Sequence, residues 1–156
     1  TQMAVSEFPR YADDARRVQA AFADRLDVAV GVEADWIDGR EDDLGALLDT
    51  IPFDYVLGSV HYSRGRSIFR KDWEEVDPLP VFEDYYRQVA DAARSGLFDI
   101  LSHLTAVEAY APLPDPELAD RLYAPVADAV AESGCVVEVN TSGYRKRPAV
   151  DEPFPN

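Results

Sequence analysis

The sequence predicts an α/β fold made of parallel β/α units, and two observations predict it. Four short runs rich in valine, isoleucine, leucine and aromatic residues read as strands covered on both faces: Val28–Glu33, Tyr55–His61, Phe98–His103 and Cys135–Asn140. Between them, apolar residues recur every three or four positions, the spacing of amphipathic helices. The order is helix, then strand–helix three times, then a final strand. Such alternation requires helical crossovers between parallel strands.

Each element has its own signal. Phe8–Asp24 carries Tyr11, Ala15, Val18 and Phe22 on one face, and Ser6 is placed to cap its start. Glu41–Asp49 opens with acids, which suit the positive end of a helix dipole, and sets Leu44, Leu47 and Leu48 on one side. The segment Tyr62–Pro80 is polar, carries Pro78 and Pro80, and is long enough to be a lid or rim element. Val81–Ser95 places Val81, Tyr85, Val89 and Ala92 on a stripe, with Gly96 as its stop. Pro116–Glu132 has Leu118, Leu122, Val126 and Val130 in line before Ser133-Gly134. Pro125 interrupts that stripe and predicts a kink or break near Ala124. No low-complexity tract or Gly/Ser-rich linker divides the chain.

Composition narrows the function classes. The 156 residues suggest one domain, and an apolar content of 47 % is enough for a core. Thirty acidic residues against fifteen basic ones give a formal charge of −15, which argues against sequence-independent nucleic-acid binding. Cys135 alone allows no internal disulfide, so nothing implies an oxidising compartment. No uncharged apolar run approaches the ~18 residues of a membrane span. The start, Thr1-Gln2-Met3-Ala4, lacks the charged and apolar regions of a signal peptide, so a cytoplasmic location is expected. It also does not begin with methionine, which hints at something upstream.

The expected chemistry sits where the strands end. Aligned by their last residues, the four runs finish in Glu33, His61, His103 and Asn140, and these are the only two histidines of the chain. Parallel α/β folds bind ligands at the carboxyl ends of strands. One glutamate and two histidines there suit a divalent metal: imidazole favours zinc, iron or manganese, and a carboxylate can bridge two ions. The competing reading is a pair of hydrogen-bonded structural histidines, with Glu33 an exposed residue opening a loop beside Asp35 and Asp38. Against it, Val30-Gly31-Val32 leads directly into Glu33, which should emerge from a buried strand.

Positive charge gathers on the same side. Arg64, Arg66, Arg70 and Lys71 follow His61, and Arg145, Lys146 and Arg147 follow Asn140. Such loops would attract an anionic substrate, and arginine's planar fork matches phosphate or carboxylate; solvated loop charges are the plainer alternative. Thr141-Ser142-Gly143 offers hydroxyls and amides that could cradle phosphate oxygens. Asn140-Thr141-Ser142 also fits the N-glycosylation pattern, discounted without a secretory signal. Ser59 and His61 share a strand face, so a Ser–His pair is conceivable, but no G-x-S-x-G elbow is present. No glycine-rich phosphate loop exists, and Gly39 and Gly65 stand alone. Cys135 reads as a small core residue, and Trp36 and Trp73 as core or pocket-rim residues.

Four segments carry a family likeness: Val30-Gly31-Val32-Glu33-Ala34-Asp35, Phe53-Asp54-Tyr55-Val56-Leu57-Gly58-Ser59-Val60-His61, Gly96-Leu97-Phe98-Asp99-Ile100-Leu101-Ser102-His103-Leu104 and Glu138-Val139-Asn140-Thr141-Ser142-Gly143. Together they resemble the polymerase-and-histidinol-phosphatase (PHP) superfamily, most nearly its histidinol-phosphatases. The resemblance implies a distorted seven-stranded β/α barrel with a cluster of two or three divalent metals at the carboxyl ends of its strands. It implies that Glu33 bridges metals, that His61 and His103 are terminal ligands, and that Asn140, Ser142 and Arg145 line the substrate phosphate site, with Arg145 as clamp. The implied reaction is hydrolysis of L-histidinol phosphate to L-histidinol and phosphate, late in histidine biosynthesis. Two close cations would there lower the pKa of a bridging water.

This sequence also departs from the family pattern. It has no opening His-x-His strand and no closing Asp-x-His pair, and Leu104–Tyr110 lacks the basic residue often found there in relatives. The expectation is an internal piece of a longer protein, a barrel incomplete at both ends, with little phosphatase activity alone. Its open sheet edges invite self-association. Other readings remain: a PHP-type phosphoesterase for another small phosphate ester or a nucleotide, or a non-catalytic remnant that binds a metal or a partner.

Overall fold

A computed structural model of the chain describes residues 3–70, 72–146, 153 and 155. In chain order the elements are α1 Phe8–Phe22, β1 Gly31–Asp35, α2 Glu41–Leu48, β2 Tyr55–Ser59, a hairpin of β3 Tyr62–Ser63 and β4 Arg66–Ser67, α3 Leu79–Arg94, β5 Ile100–Leu101, α4 Pro116–Ser133, β6 Val136–Val137 and α5 Gly143–Lys146. Single 3-10 turns lie at Val5–Glu7, Trp73–Glu75 and Ala106–Ala109. The predicted α/β architecture is present: β1, β2, β5 and β6 form one parallel sheet in that order. Among the described residues the sheet is open, with β1 and β6 at its edges.

The strands are shorter than the apolar runs, and the physical reason differs by strand. Before β1, the backbone of residues 28–30 bonds to side chains and a turn rather than to a ladder. Val30 donates its N–H to Asp54 Oδ2 at 2.6 Å and accepts from Asp54 N at 2.8 Å. The amide of Gln19 bonds to the Val28 carbonyl. The ladder therefore starts at Gly31 and runs to Asp35, so Glu33 lies mid-strand rather than at the strand end. After β2 and β5 the chain leaves the ladder, and His61 and His103 each stand two residues beyond a strand. Asn140 stands three residues beyond β6.

Three other expectations change. Ser6 does not cap α1, because the chain enters the helix through the Val5–Glu7 turn, where the Ala4 N–H reaches Glu7 Oε2 at 3.2 Å. The period of α1 is as read, but its buried residues are Phe8 and Ala12, while Val18 is 54 % and Phe22 37 % exposed. Polar anchors dock this helix instead. Tyr11 donates to the Gly31 carbonyl at 2.7 Å, and Arg16 bonds Asp54 at 2.8 Å and the Pro52 carbonyl at 2.7 Å. Finally, α4 runs unbroken through Pro125. The missing proline N–H strands a carbonyl on the exposed face, where water can satisfy it, while Leu122, Val126 and Ala129 stay buried on the other.

The segment read as polar loop holds more structure than expected. Arg64 and Gly65 both have positive φ, 51° and 72°, which closes a tight hairpin. Beyond it Ile68 and Trp73 enter the core, at 1 % and 6 % exposure. The core lies between the sheet and the packed pair α3 and α4, with Phe82, Tyr85, Tyr86, Val89 and Leu101 among its members. Trp36 meets Phe98 edge-on at 6.3 Å, so both tryptophans are core residues. Cys135 is a free thiol against the Phe98 carbonyl at 3.1 Å, consistent with a small core residue. No helix among the described residues is long and apolar enough to cross a membrane.

Candidate metal centre

Adjacent parallel strands bring the three predicted ligands together. Glu33 from β1, His61 after β2 and His103 after β5 each offer a ligand atom, and these atoms lie within 4.8 Å of one another. Glu33 Oε1 is 3.5 Å from His103 Nε2 and 3.9 Å from His61 Nε2. The two Nε2 atoms are 3.3 Å apart. Both imidazoles thus turn the same nitrogen toward one carboxylate oxygen, a donor set suited to a divalent cation. His61 is oriented by Asp35, whose Oδ1 lies 2.6 Å from its Nδ1. A carboxylate only accepts, so Nδ1 carries a proton, and in the neutral ring the Nε2 lone pair is left for a metal.

His103 has an unusual backbone, with φ of 30° in the left-handed region. Two bonds hold it there. Its N–H donates to Glu138 Oε2 at 2.9 Å, and its carbonyl accepts from Ala106 N at 2.8 Å. Its Nδ1 is buried without a hydrogen-bond partner among the described residues. The Glu33 carboxyl is held down to about 2, above all by its interaction with His103, with help from Ser59 and the charge of the imidazoles; its partial burial acts the other way. It is therefore an anion at neutral pH, ready to meet a cation.

Several residues that matter here were not singled out by the sequence for this role. Asp35 follows Glu33 by two, so both face the same side of β1, and that spacing is the signal that could have found it. Ser59 is not paired with His61. Its hydroxyl bonds Glu33 Oε1 at 2.5 Å and meets Ser102 Oγ at 2.6 Å, which removes the Ser–His nucleophile reading. Glu138 had no local signal, since its role is to seize a backbone N–H of a distant loop.

The predicted phosphate-binding residues are placed differently. Asn140 lies next to the centre through Glu138, to which its Nδ2 donates at 3.2 Å. Its Oδ1 accepts the Ser142 N–H at 2.9 Å, closing an Asx turn that leads into α5. Ser142 opens that turn of helix by accepting from Arg145 N and Lys146 N at 3.1 and 3.0 Å. Arg145 is exposed on α5. Lys146 sits over the Phe69 ring at 5.1 Å, and the Phe69 ring meets His61 at 5.5 Å, tilted by 44°. Of the other basic residues, Arg70 is clamped in two bonds of 2.6 Å to Asp72, and Arg64 and Arg66 are on the exposed hairpin. Lys71 and Arg147 lie outside the described residues.

Residues 2–142 match the sequence model of the PHP domain. The chain belongs to the PHP domain family. A Deinococcus radiodurans protein that carries the name probable histidinol-phosphatase is 39 % identical over 99 % of this chain and 60 % of its own length. A Clostridium acetobutylicum protein of the same name is 28 % identical over 82 % of this chain and 52 % of its own. The chain thus spans about half to three-fifths of these PHP relatives. Among solved structures, a Listeria monocytogenes protein provisionally assigned as a histidinol phosphatase superposes with a TM-score of 0.83 at 19 % identity, over 99 % of this chain and 65 % of its own. Histidinol phosphate phosphatase from Lactococcus lactis, solved with zinc, L-histidinol and phosphate, superposes with a TM-score of 0.76 at 19 % identity, over 88 % and 55 %. These structural likenesses establish the PHP-type α/β fold, whose barrel is not closed among the residues described here. Within it, Glu33, His61 and His103 are grouped as residues that could hold a metal ion.

Proposed function

We propose that this chain supplies the metal-binding strands of a PHP-type histidinol-phosphatase, which hydrolyses L-histidinol phosphate to L-histidinol and phosphate in the cytoplasm. The observation that carries the reading is the convergence of Glu33 Oε1 with the Nε2 atoms of His61 and His103 within 4.8 Å. Residues 1–156 are taken as part of one PHP-type domain, with a small phosphate ester as its partner; its open sheet edges leave room for self-association. Neither nucleic acid nor membrane is a proposed partner.

A bound divalent cation supplies a lowered water pKa and charge neutralisation on phosphate oxygens. The chain's own groups supply the rest. Glu33 brings an anionic ligand oxygen at neutral pH. Asp35 keeps the proton of His61 on Nδ1, and Glu138 pins the backbone that presents His103. In this reading, Asn140, Ser142 and Arg145 face the phosphate, and Arg145 offers it a two-pronged clamp. The acidic surface elsewhere leaves the basic loops after His61 and Asn140 as the attractive face for an anion.

Phosphate release from histidinol phosphate by the intact protein, supplied with manganese or zinc, tests the reading. Glu33→Gln and His103→Ala are expected to abolish both metal content and turnover. Retained activity in either variant sinks the ligand assignment. Turnover of other phosphate esters in preference to histidinol phosphate would shift the reading to a broader phosphoesterase.

A further inference from the structure

Resting on the metal-site reading of Glu33, we infer that Ser59 and Ser102 are positioning residues, a directed pair of buried hydroxyls that holds the Glu33 carboxylate in its ligating orientation. Ser59 is 1 % and Ser102 5 % exposed, at the carboxyl ends of β2 and β5. Each hydroxyl has one proton to give and lone pairs to accept with.

Counting protons fixes the direction. A carboxylate oxygen accepts, so across the 2.5 Å contact Ser59 donates to Glu33 Oε1. Ser59 has then spent its proton, and across the 2.6 Å contact Ser102 must be the donor. The Gly58 carbonyl, at 3.2 Å, is a longer second acceptor for the same Ser102 proton. Ser102 Oγ keeps acceptor capacity on the side of His103 Nε2, at 3.4 Å. The chain of donors thus runs from β5 through β2 to the carboxylate on β1.

This arrangement is more than the satisfaction of two buried hydroxyls. A serine pair between strands could bond backbone carbonyls alone, yet the proton of Ser59 leaves the sheet for a side chain that is half exposed. Left to itself, such a glutamate would exchange among rotamers in solvent. Oε1 has more than one acceptor direction. The Ser59 hydroxyl takes one, and the imidazole nitrogens at 3.5 and 3.9 Å mark where the other is used. The strand that carries Ser59 has little room to move. A Cβ on the neighbouring Gly58 would meet the Phe98 ring at 2.5 Å.

The test is cation affinity, read by titrating metal-free intact protein with zinc or manganese, beside the melting temperature of the metal-free form. Ser59→Ala is expected to weaken binding roughly 10–100-fold, the usual loss for a group supporting a metal ligand, with the metal-free melting temperature unchanged. Ser102→Ala is expected to weaken it less, because Ser59 still donates. The double variant should bind no more weakly than Ser59→Ala, since Ser102 acts through Ser59. Native affinity in Ser59→Ala overturns the inference, and so does a double variant whose loss equals the two single losses combined. If Ser59→Ala does not fold, Ser102→Ala decides alone, and native affinity there is the overturning result. Native protein that binds cation but leaves histidinol phosphate intact would sink the proposed function without touching this inference. Native protein that binds no cation would remove both.

Discussion

Asp35 determines which nitrogen of His61 faces Glu33, through a contact of 2.6 Å to Nδ1. Asp35→Asn replaces an acceptor-only group with one that can also donate, so the imidazole loses its fixed tautomer. The expected result is a loss of cation affinity of roughly 10–100-fold with the fold intact, measured by metal titration and circular dichroism. The residues of the centre were unequally legible. Glu33, His61 and His103 stood out because rare ligand types closed three apolar runs. Asp35 was visible only as a loop acid, since its role depends on where the ring of His61 turns. Away from the centre, the core residue Glu108 was not visible at all. It is fully buried and receives the hydroxyls of Tyr86 and Tyr123 at 2.5 and 2.6 Å, a burial that comes from helices far away in sequence.

At the level of elements, the hairpin beside the centre is tied to α3 by one carboxylate. Asp84 accepts from Ser63 Oγ and Arg64 N at 2.8 Å and from Gln88 Nε2 at 2.9 Å, and it pairs with Arg87 at 2.9 Å. Burial pushes the Asp84 carboxyl up, but Arg87 and these donors outweigh it and hold the group below the ordinary aspartate range. A carboxyl lowered in the folded state stabilises that state above its unfolded pKa of about 4, and the benefit is lost as pH falls through the folded value. Melting temperature should therefore fall on acidification from about pH 6 to about pH 3, and less steeply in Asp84→Asn, which starts from a lower value. An unchanged slope in the variant would show that Asp84 is not a source of the acid sensitivity. The spans of α1 to α4 were legible to within two residues, because period and caps are local, whereas the short α5 was not foreseen. Gly134, for example, ends α4 at φ 76° as its position after Ser133 implied. Strand ends were not, because Asp54 and Gln19 replace the ladder at residues 28–30 and no local pattern reveals that exchange.

For the whole molecule, the parallel order was readable from the alternation of elements, whereas barrel closure depends on contacts that no single β/α unit encodes. The three grouped residues found among those described are too few to hold the full cluster of two or three metals that the family likeness implied. The 156-residue chain alone is accordingly expected to release little or no phosphate from histidinol phosphate with manganese or zinc, in an assay where the intact protein turns over. Robust turnover by the isolated chain would contradict this. One property of the sheet reaches further. Its strands are stacked in the same order as they occur along the chain, and all three proposed ligands fall between residues 33 and 103. The mostly exposed link before α4, Pro112–Asp115, lies outside that interval. A nick there divides the molecule into a half that carries Glu33, His61 and His103 and a buttress of α4, β6 and α5 that carries no imidazole. The two pieces could then be exchanged like parts, rebuilding the surroundings of the phosphate, provided the incoming buttress keeps a carboxylate where Glu138 holds the His103 N–H.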